Sequence, residues 1–303
     1  MRAIVAVGNH LHRIPPSVQV IKVTLLSDRR AIVNGTPPDD KVEIPAEWVI
    51  APSAASRDIN NDPVILYLHG YVANAVLDSF RCHAPILTLK LPYGSGGYFL
   101  SNAEGHRSLT WQLSQTAGLP ILSVSYRLAP EATFPSQLQD AISSYLFLRS
   151  QNPSRPIVLA GDSAGGGLVT ALALWIRDQS HDIPQADGIV AFAPWLDLTH
   201  SYPSFENNSK YDYLPASTED PSHVIHKKRT HYYTISDDQL RDPLVSPVFA
   251  QDRLDKPLPP MLIHIGEKER LRDESLAFGA FQTSSAIRVE SFQDMPHVFQ
   301  VCL

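Results

Sequence analysis

The sequence predicts an α/β fold in which helices cover both faces of a mostly parallel sheet. From Pro63 onward, short apolar runs typical of buried strands alternate with longer stretches of helical periodicity. The chain has 303 residues, of which 44% are hydrophobic and 18% charged, so it is large enough to bury an extensive core. We therefore expect residues 61–303 to form the main domain, and residues 1–60 to supply the first strands and part of a cap.

The individual elements follow from local patterns of apolar residues and from the glycines and prolines between them. Apolar runs predict strands at residues 18–26, 41–49, 64–68, 121–126, 156–160, 188–192, 261–265 and 288–292. Helical periodicity predicts helices over residues 103–117, 136–149 and 274–283, and another that begins after Gly165. We expect the helix over 136–149 to be amphipathic, with Leu138, Ile142 and Leu146 on its apolar face.

The alternation of strands and helices breaks down between residues 197 and 255. This stretch is rich in Pro, Ser, Asp and Tyr, and it lies between two predicted core strands. A segment of this length without regular elements is usually functional, so we interpret residues 197–255 as a cap. Aromatic residues in and beside it either line a pocket or fill the core: Trp195, Tyr211, Tyr213, Tyr232 and Tyr233.

Composition and charge narrow the classes of partner. The formal net charge is −6 and the basic run at residues 227–229 is short, so nothing predicts a nucleic-acid partner. No apolar stretch is long enough for a membrane span, and no clear signal-peptide core is seen. Cys82 and Cys302 cannot build a disulfide framework. These features predict a cytoplasmic protein with a small-molecule partner, and they carry no signal for the oligomeric state.

The most informative motif is Gly-Asp-Ser-Ala-Gly at residues 161–165. A strand pattern ends directly before it, and a helical pattern follows at once. This arrangement is typical of a nucleophile elbow, in which the serine occupies a strained turn that needs glycine on either side. The N-terminus of the following helix places partial positive charge where an oxyanion would form. Ser163 is therefore the candidate nucleophile, and a Gly-rich turn with a capping serine is the alternative.

A serine nucleophile requires a base, and the base requires an acid that orients it. His297 lies in the turn after the last predicted strand, where the chain order of such sites places the base. The acid should follow the strand at 261–265, and both Glu269 and Asp273 occur there. Either carboxylate could instead complement the dipole of the helix that follows. The residues alone leave both assignments open.

Further motifs accompany the serine turn in order along the chain. They are Tyr-Arg-Leu-Ala-Pro-Glu at residues 126–131, Phe-Pro at 134–135 and Ala-Pro-Trp-Leu-Asp at 193–197. Over roughly residues 60–300 the chain resembles the hormone-sensitive-lipase family of α/β-hydrolase esterases. The resemblance implies an α/β-hydrolase fold with a cap, and a serine esterase that uses no cofactor and no metal.

The resemblance also assigns roles to individual residues. In this family the acid heads an acid-x-Leu-x-Asp motif, and the run Glu-Arg-Leu-Arg-Asp that begins at Glu269 matches it. Glu269 is therefore favoured as the acid, with Asp273 as the alternative, although the family more often carries aspartate at the first position. By the same resemblance, Tyr126, Arg127 and Glu131 belong to the scaffold.

The family's oxyanion hole comes from a His-Gly-Gly-Gly run, which this chain contains only in two pieces. His69 and Gly70 follow a strand, but residues 71–95 intervene before the next two glycines. The N–H groups that the resemblance assigns to the oxyanion hole are those of Gly96, Gly97 and Ala164.

We interpret residues 71–95 as a retained intron. Without them the chain reads His-Gly-Gly-Gly-Tyr-Phe, and codons available for Gly70 and its next two residues, and for Ser95, can supply matching splice signals. A genuine lineage-specific loop is the alternative. With the segment present one oxyanion donor would be displaced, which costs about 10²–10³ in rate. The sequence also ends at Leu303, where the family continues into a helix, so we expect that C-terminal helix to be missing.

Together these features predict a serine carboxylesterase that hydrolyses short-acyl esters through Ser163, His297 and Glu269 and an acyl-enzyme intermediate. The short acyl group rests on the family resemblance alone. Two alternatives stay open at this point. One is a catalytically impaired or receptor-like relative, and the other is an amidase or lactonase that uses the same triad.

Overall fold

The computed structural model describes residues 14–70, 97–179, 182–214 and 233–302. Within these ranges eight strands form one sheet, in the order β1-β2-β4-β3-β5-β6-β7-β8. The strands are β1 (Gln19–Leu26), β2 (Glu43–Ile50), β3 (Val64–Leu68), β4 (Ile121–Val124), β5 (Ile157–Asp162), β6 (Gly188–Phe192), β7 (Met261–Gly266) and β8 (Ile287–Phe292). Strands β3 to β8 pair in parallel, whereas β1 and β2 join antiparallel at one edge. The predicted mostly parallel sheet is confirmed.

Five α-helices connect or flank these strands within the same ranges. They are α1 (Arg107–Ala117), α2 (Ser136–Gln151), α3 (Ala164–Gln179), the short α4 (Ser204–Asn207) and α5 (Arg272–Phe281). Strand β3 is buried at every position because helices cover both faces of the sheet, which is why its sequence is a continuous apolar run. The edge strand β1 is mostly exposed and correspondingly more polar.

Helix α2 differs from the predicted amphipathic helix in one respect. Its apolar face is buried as expected, but so are polar side chains on the other side. The N-terminal segment covers them: Ser143 Oγ accepts a hydrogen bond from the Asp28 N–H (2.9 Å), and Gln139 Nε2 donates to the Thr36 carbonyl (3.1 Å). Hydrogen bonds therefore satisfy polar groups that periodicity alone would place in water.

Helix boundaries differ from the predictions by a few residues, for local reasons. The helix predicted from residue 103 begins at Arg107, because Glu104–His106 form a separate 3₁₀ turn before it. It ends at Ala117, since Gly118 takes up the left-handed conformation (φ +64°) of a helix C-cap. Helix α5 begins two residues earlier than predicted and ends two residues earlier.

The predicted cap is described in part. Residues 197–214 and 233–255 form turns, short 3₁₀ helices and α4, and they contact helices α3 and α5. Predictions for residues 71–96 and 215–232, including the intron interpretation, Gly96 and Tyr232, lie outside the described residues. A 3₁₀ turn at Phe299–Cys302 ends the described chain. No helix within the described ranges combines the length and apolar character that a membrane crossing would require.

Candidate active site

Ser163 is the single residue between β5 and α3, and its backbone has φ +51°. A non-glycine residue in this conformation is strained, and such strain is typical of functional turns. The flanking glycines leave no room for side chains. A Cβ at Gly161 would lie 2.5 Å from the Gly165 carbonyl, and a Cβ at Gly165 would overlap the Leu68 carbonyl. The predicted Gly-x-Ser-x-Gly turn therefore has the packing that its glycines require.

His297 faces this serine. Its Nε2 lies 2.9 Å from Ser163 Oγ, within hydrogen-bond distance, and both side chains are buried. Burial lowers the pKa of His297, while the charges of Asp212 and Asp162 act in the opposite direction. A neutral imidazole at this distance can accept the serine proton.

Glu269 lies on the other side of the imidazole, in the loop between β7 and α5. Its Oε2 is 3.6 Å from His297 Nδ1. Among the described residues, neither Glu269 oxygen has a partner in hydrogen-bond geometry, and the same holds for His297 Nδ1. Burial raises the pKa of Glu269 well above its usual range, and the nearby Gly266 backbone and the charge of Arg272 offset this only in part.

Backbone hydrogen bonds hold the loop of Glu269 against the loop of His297. Lys268 N–H donates to the Met295 carbonyl (3.0 Å), and Glu267 N–H donates to the Phe292 carbonyl (2.9 Å). A Cβ at Gly266 would clash with the Met295 and Pro296 carbonyls, so the two loops approach as closely as their backbones allow. This contact sets the separation of acid and base.

Asp273, the alternative acid, points elsewhere. It is the second residue of α5, where its Oδ2 accepts a hydrogen bond from Ser204 N–H (3.0 Å) and its Oδ1 accepts one from Arg272 Nε (2.8 Å). The bond from Ser204 joins α5 to α4, the bond from Arg272 lies within α5, and neither involves the imidazole. The structure thus brings Ser163, His297 and Glu269 together and leaves Asp273 outside the group.

The groups predicted for the oxyanion hole are described in part. Ala164 begins α3, so its N–H belongs to the first turn, where helical N–H groups have no intrahelical acceptor. Gly97 has φ +62°, and a Cβ there would lie 2.7 Å from Trp195 Cζ3. The Gly70 N–H donates to Asp162 Oδ1 (2.9 Å), which fixes the strand end beside the serine. His69 stacks on Tyr126, with ring centroids 4.4 Å apart.

Asp162, the residue before the serine, forms a buried polar network that the sequence reasoning did not identify. Its Oδ1 also accepts a hydrogen bond from Tyr67 Oη (2.6 Å), and its Oδ2 lies 3.4 Å from His106 Nε2. Burial would raise the pKa of Asp162, but the charge of His106 and the hydrogen bonds from Tyr67 and Gly70 outweigh it and lower the pKa to about 2. The signal in the sequence was the aspartate inside the motif, whose apolar neighbours imply a buried charge.

The cap contributes a second set of contacts that the sequence reasoning missed. Asn208 Nδ2 donates to the Glu269 carbonyl (2.9 Å), and Asp212 Oδ2 accepts a hydrogen bond from Arg270 N–H (2.6 Å). Ser204 Oγ donates to the Arg270 carbonyl (2.7 Å). We call residues 204–214 the clamp segment, because they hold the backbone on which Glu269 sits. Its polar sequence shows no periodicity that would have pointed to this role.

The aromatic residues of the cap divide between core and site. Tyr233 is fully buried and stacks on Tyr98 with ring centroids 3.8 Å apart, and Trp195 is also buried. The Tyr213 ring centroid lies 5.8 Å from that of His297, whereas Tyr211 is 44% exposed. Trp195 and Tyr233 thus belong to the core, and Tyr213 borders the site. Within the described ranges, no three His, Cys, Asp or Glu side chains group as a metal site would require.

Comparison with known proteins identifies the family of the chain. The sequence profile of a family described as alpha/beta hydrolase fold matches residues 92–301. An acetyl-hydrolase of Streptomyces hygroscopicus is 30% identical over 271 residues, which is 88% of this chain and 76% of the relative. An esterase of Acinetobacter venetianus is 32% identical over 227 residues, covering 74% of this chain and 71% of the relative.

Solved structures give the same result for the fold. The crystal structure of the esterase EstE5 soaked with p-nitrophenyl butyrate superposes with a TM-score of 0.72 at 28% identity, covering 99% of this chain and 83% of that one. An esterase from the bacterial hormone-sensitive lipase family superposes with a TM-score of 0.71 at 28% identity, covering 97% and 80%. The chain belongs to the α/β-hydrolase fold family and resembles its hormone-sensitive-lipase-type members.

Proposed function

We propose that this chain is a serine carboxylesterase that hydrolyses short-acyl esters through Ser163, His297 and Glu269. The observation that carries the proposal is the 2.9 Å contact between His297 Nε2 and Ser163 Oγ on a strained turn. Family membership and the esterase and acetyl-hydrolase relatives support the ester-hydrolase class.

The proposed reaction has two stages. Ser163 Oγ attacks the ester carbonyl carbon while His297 Nε2 takes the serine proton, and that proton then passes to the leaving alcohol. Water next attacks the acyl-enzyme, His297 accepts its proton, and the acid is released with the serine restored. Glu269 stabilises the imidazolium that forms in each stage.

Backbone N–H groups stabilise the oxyanion in this proposal. Ala164 N–H at the start of α3 is one donor, and the positive end of the helix dipole adds to it. Gly97 supplies another, since its left-handed backbone is held against Trp195. The resemblance assigns a third to Gly96.

Two observations support a short acyl group. The Streptomyces relative is an acetyl-hydrolase. In this structure Trp195 packs directly on Gly97, so a large indole closes the space behind the proposed oxyanion loop. Bulk at this position would leave less room for a long acyl chain than for an acetyl group.

The test is hydrolysis of p-nitrophenyl acetate, butyrate and decanoate, and of matched p-nitroanilides, with the Ser163→Ala variant as the blank. We expect Ser163-dependent hydrolysis of the esters, fastest for acetate, and labelling of Ser163 by a fluorophosphonate. Faster cleavage of the anilides would establish the amidase alternative. A folded protein that is neither labelled nor active would favour the receptor-like relative.

A second version of the chain, which lacks residues 71–95, enters the same assay. We propose that this segment is a retained intron. The shortened chain should therefore hydrolyse p-nitrophenyl acetate about 10²–10³ times faster, which is the rate factor contributed by one oxyanion donor. Equal rates would identify the segment as a tolerated loop. The gene and its transcript give an independent check. The gene must carry splice signals at both boundaries of the segment, and the spliced transcript must lack the segment.

A further inference from the structure

A second buried carboxylate lies at the proposed triad. Asp212 belongs to the clamp segment and is 7% exposed. The charges of His297 and Glu269 both act on it, and its Oδ2 bonds to the N–H of the residue after Glu269, so the three ionisable groups lie near one another. The proposed mechanism assigns no role to Asp212.

The two carboxylates differ in their hydrogen bonds. Asp212 Oδ2 accepts the Arg270 N–H at 2.6 Å, and its Oδ1 accepts a longer bond from Leu214 N–H at 3.4 Å. Glu269 has no donor in hydrogen-bond geometry among the described residues. Backbone donors stabilise a carboxylate in its charged form. Burial and the charge of Glu269 raise the pKa of Asp212, while the charge of His297 and the Arg270 N–H act against this rise, so the charged form of Asp212 depends on His297.

The position of Asp212 relative to Glu269 is fixed by the backbone. Arg270 is the residue after Glu269, so the bond from its N–H ties Asp212 directly to the acid loop. Asn208 binds the Glu269 carbonyl from the same segment. The Tyr213 ring beside His297 completes the contact. Asp212 thus cannot move away from the imidazole without breaking the clamp.

We propose that Asp212 is a positioning residue, which shares one negative charge with Glu269 and stabilises protonated His297. The proposal rests on the proposed esterase function. The charged and polar groups that face His297 are Ser163, Glu269, Tyr213, Asp212 and Asp162, and those that face Asp212 are His297, Glu269 and Arg270. Two carboxylates whose charges interact titrate as a pair, so a single negative charge belongs to both.

The pH profile of kcat/KM tests this role, with Asp212→Asn as the variant. Asparagine keeps an oxygen for the Arg270 N–H, but the shared charge then falls on Glu269 alone, which has no donor in hydrogen-bond geometry among the described residues to stabilise it beside His297. We expect kcat to fall about tenfold and the acidic limb of kcat/KM to move about one unit to lower pH. Glu43→Gln removes a charge from an exposed position at the start of β2, outside the clamp segment, and should change neither. An acidic limb that stays in place in Asp212→Asn overturns the proposal.

A double variant tests the sharing of charge. With one carboxylate remaining, each single variant keeps a counter-charge for the imidazolium, and the double variant Glu269→Gln/Asp212→Asn keeps none. We expect Asp212→Asn to lower kcat about 100-fold in the Glu269→Gln background, against about tenfold alone. If Asp212→Asn lowers kcat by no larger a factor in the Glu269→Gln background than in the wild type, the two carboxylates do not share a charge. If the wild type shows no Ser163-dependent esterase activity, the esterase function itself is wrong. This result is distinct from the failure of the Asp212 role, which is seen only in the variants.

Discussion

Two buried carboxylates, Asp162 next to Ser163 and Glu269 next to His297, behave in opposite ways. Both side chains are fully buried, and each lies within 4 Å of a histidine nitrogen. Yet the pKa of Asp162 is lowered to about 2, whereas that of Glu269 is raised well above its usual range. Burial is common to both, so burial does not decide which form is stable.

The difference lies in the donors around each carboxylate. Asp162 receives hydrogen bonds from Tyr67 Oη and Gly70 N–H and faces His106, while Glu269 has no donor in hydrogen-bond geometry among the described residues. The nucleophile side of the site is therefore fixed by its own hydrogen bonds. The acid side depends on backbone contacts from the clamp segment. Three substitutions test this contrast.

The largest expected effect comes from Asp162→Asn. Asparagine can still accept the bonds from Tyr67 and Gly70, but it removes the charge that faces His106. A hydrogen bond to a charged acceptor contributes about 1.5–3 kcal/mol, and the bonds from Tyr67 and Gly70 both lose that charge, so we expect a loss of about 3 kcal/mol in the free energy of unfolding, measured in urea at pH 7. Asp255→Asn, at an exposed ion pair with Arg253, is the control and should leave the urea midpoint in place. A urea midpoint for Asp162→Asn equal to that of the wild type would show that the charge of Asp162 does not stabilise the fold.

A smaller effect is expected from Asn208→Ala on the acid side. The change removes the donor to the Glu269 carbonyl, and leaving a buried acceptor unsatisfied costs about 1–3 kcal/mol. Because the acid loop loosens, kcat should fall with little change in KM. The neighbouring Asn207 is exposed, so Asn207→Ala is the matched control. Equal thermal unfolding and kcat in the two variants would show that the clamp segment does not hold the loop.

The smallest expected effect comes from Glu269→Gln, which should stabilise the protein rather than destabilise it. A carboxyl whose pKa is raised on folding contributes stability that is complete below its unfolded pKa, near 4.5, and is lost as the pH rises through the folded pKa. Glu269→Gln avoids this loss. We expect its Tm at pH 8 to exceed that of wild type by about 2–4 °C, a gain of roughly 1 kcal/mol, and the difference to vanish near pH 4. Lower Tm at pH 8 would mean that Glu269 is a stabilised anion, like Asp162.

The sequence was sufficient for the parts of the fold that depend on local pattern. The strands, the serine turn and the parallel sheet all follow from apolar runs and paired glycines. The family and fold predictions are confirmed by the profile match and the solved esterases. The prediction of a carboxylic-ester hydrolase is confirmed at the level of class by its esterase relatives. The triad roles, the short acyl group, the cytoplasmic location and the retained intron stay predictions.

What the sequence could not predict depends on contacts between distant segments. Asp212 stands 57 positions before Glu269 in a stretch without periodicity, and only the tertiary fold brings it to the Arg270 backbone. The polar side of α2 is buried because residues 28–36 cross it. The choice between Glu269 and Asp273 likewise depended on where each side chain points. Asp273 points toward Ser204, which the spacing of residues in the sequence does not reveal.

The clamp segment has a consequence for how this enzyme class can be altered. The same eleven residues belong to the cap and hold the backbone of the acid loop through Ser204, Asn208 and Asp212. The cap is therefore not an independent module. Exchanging it between relatives to change substrate preference would also replace the support of the acid, so grafts that keep residues 204–214 should retain turnover while those that replace them lose it.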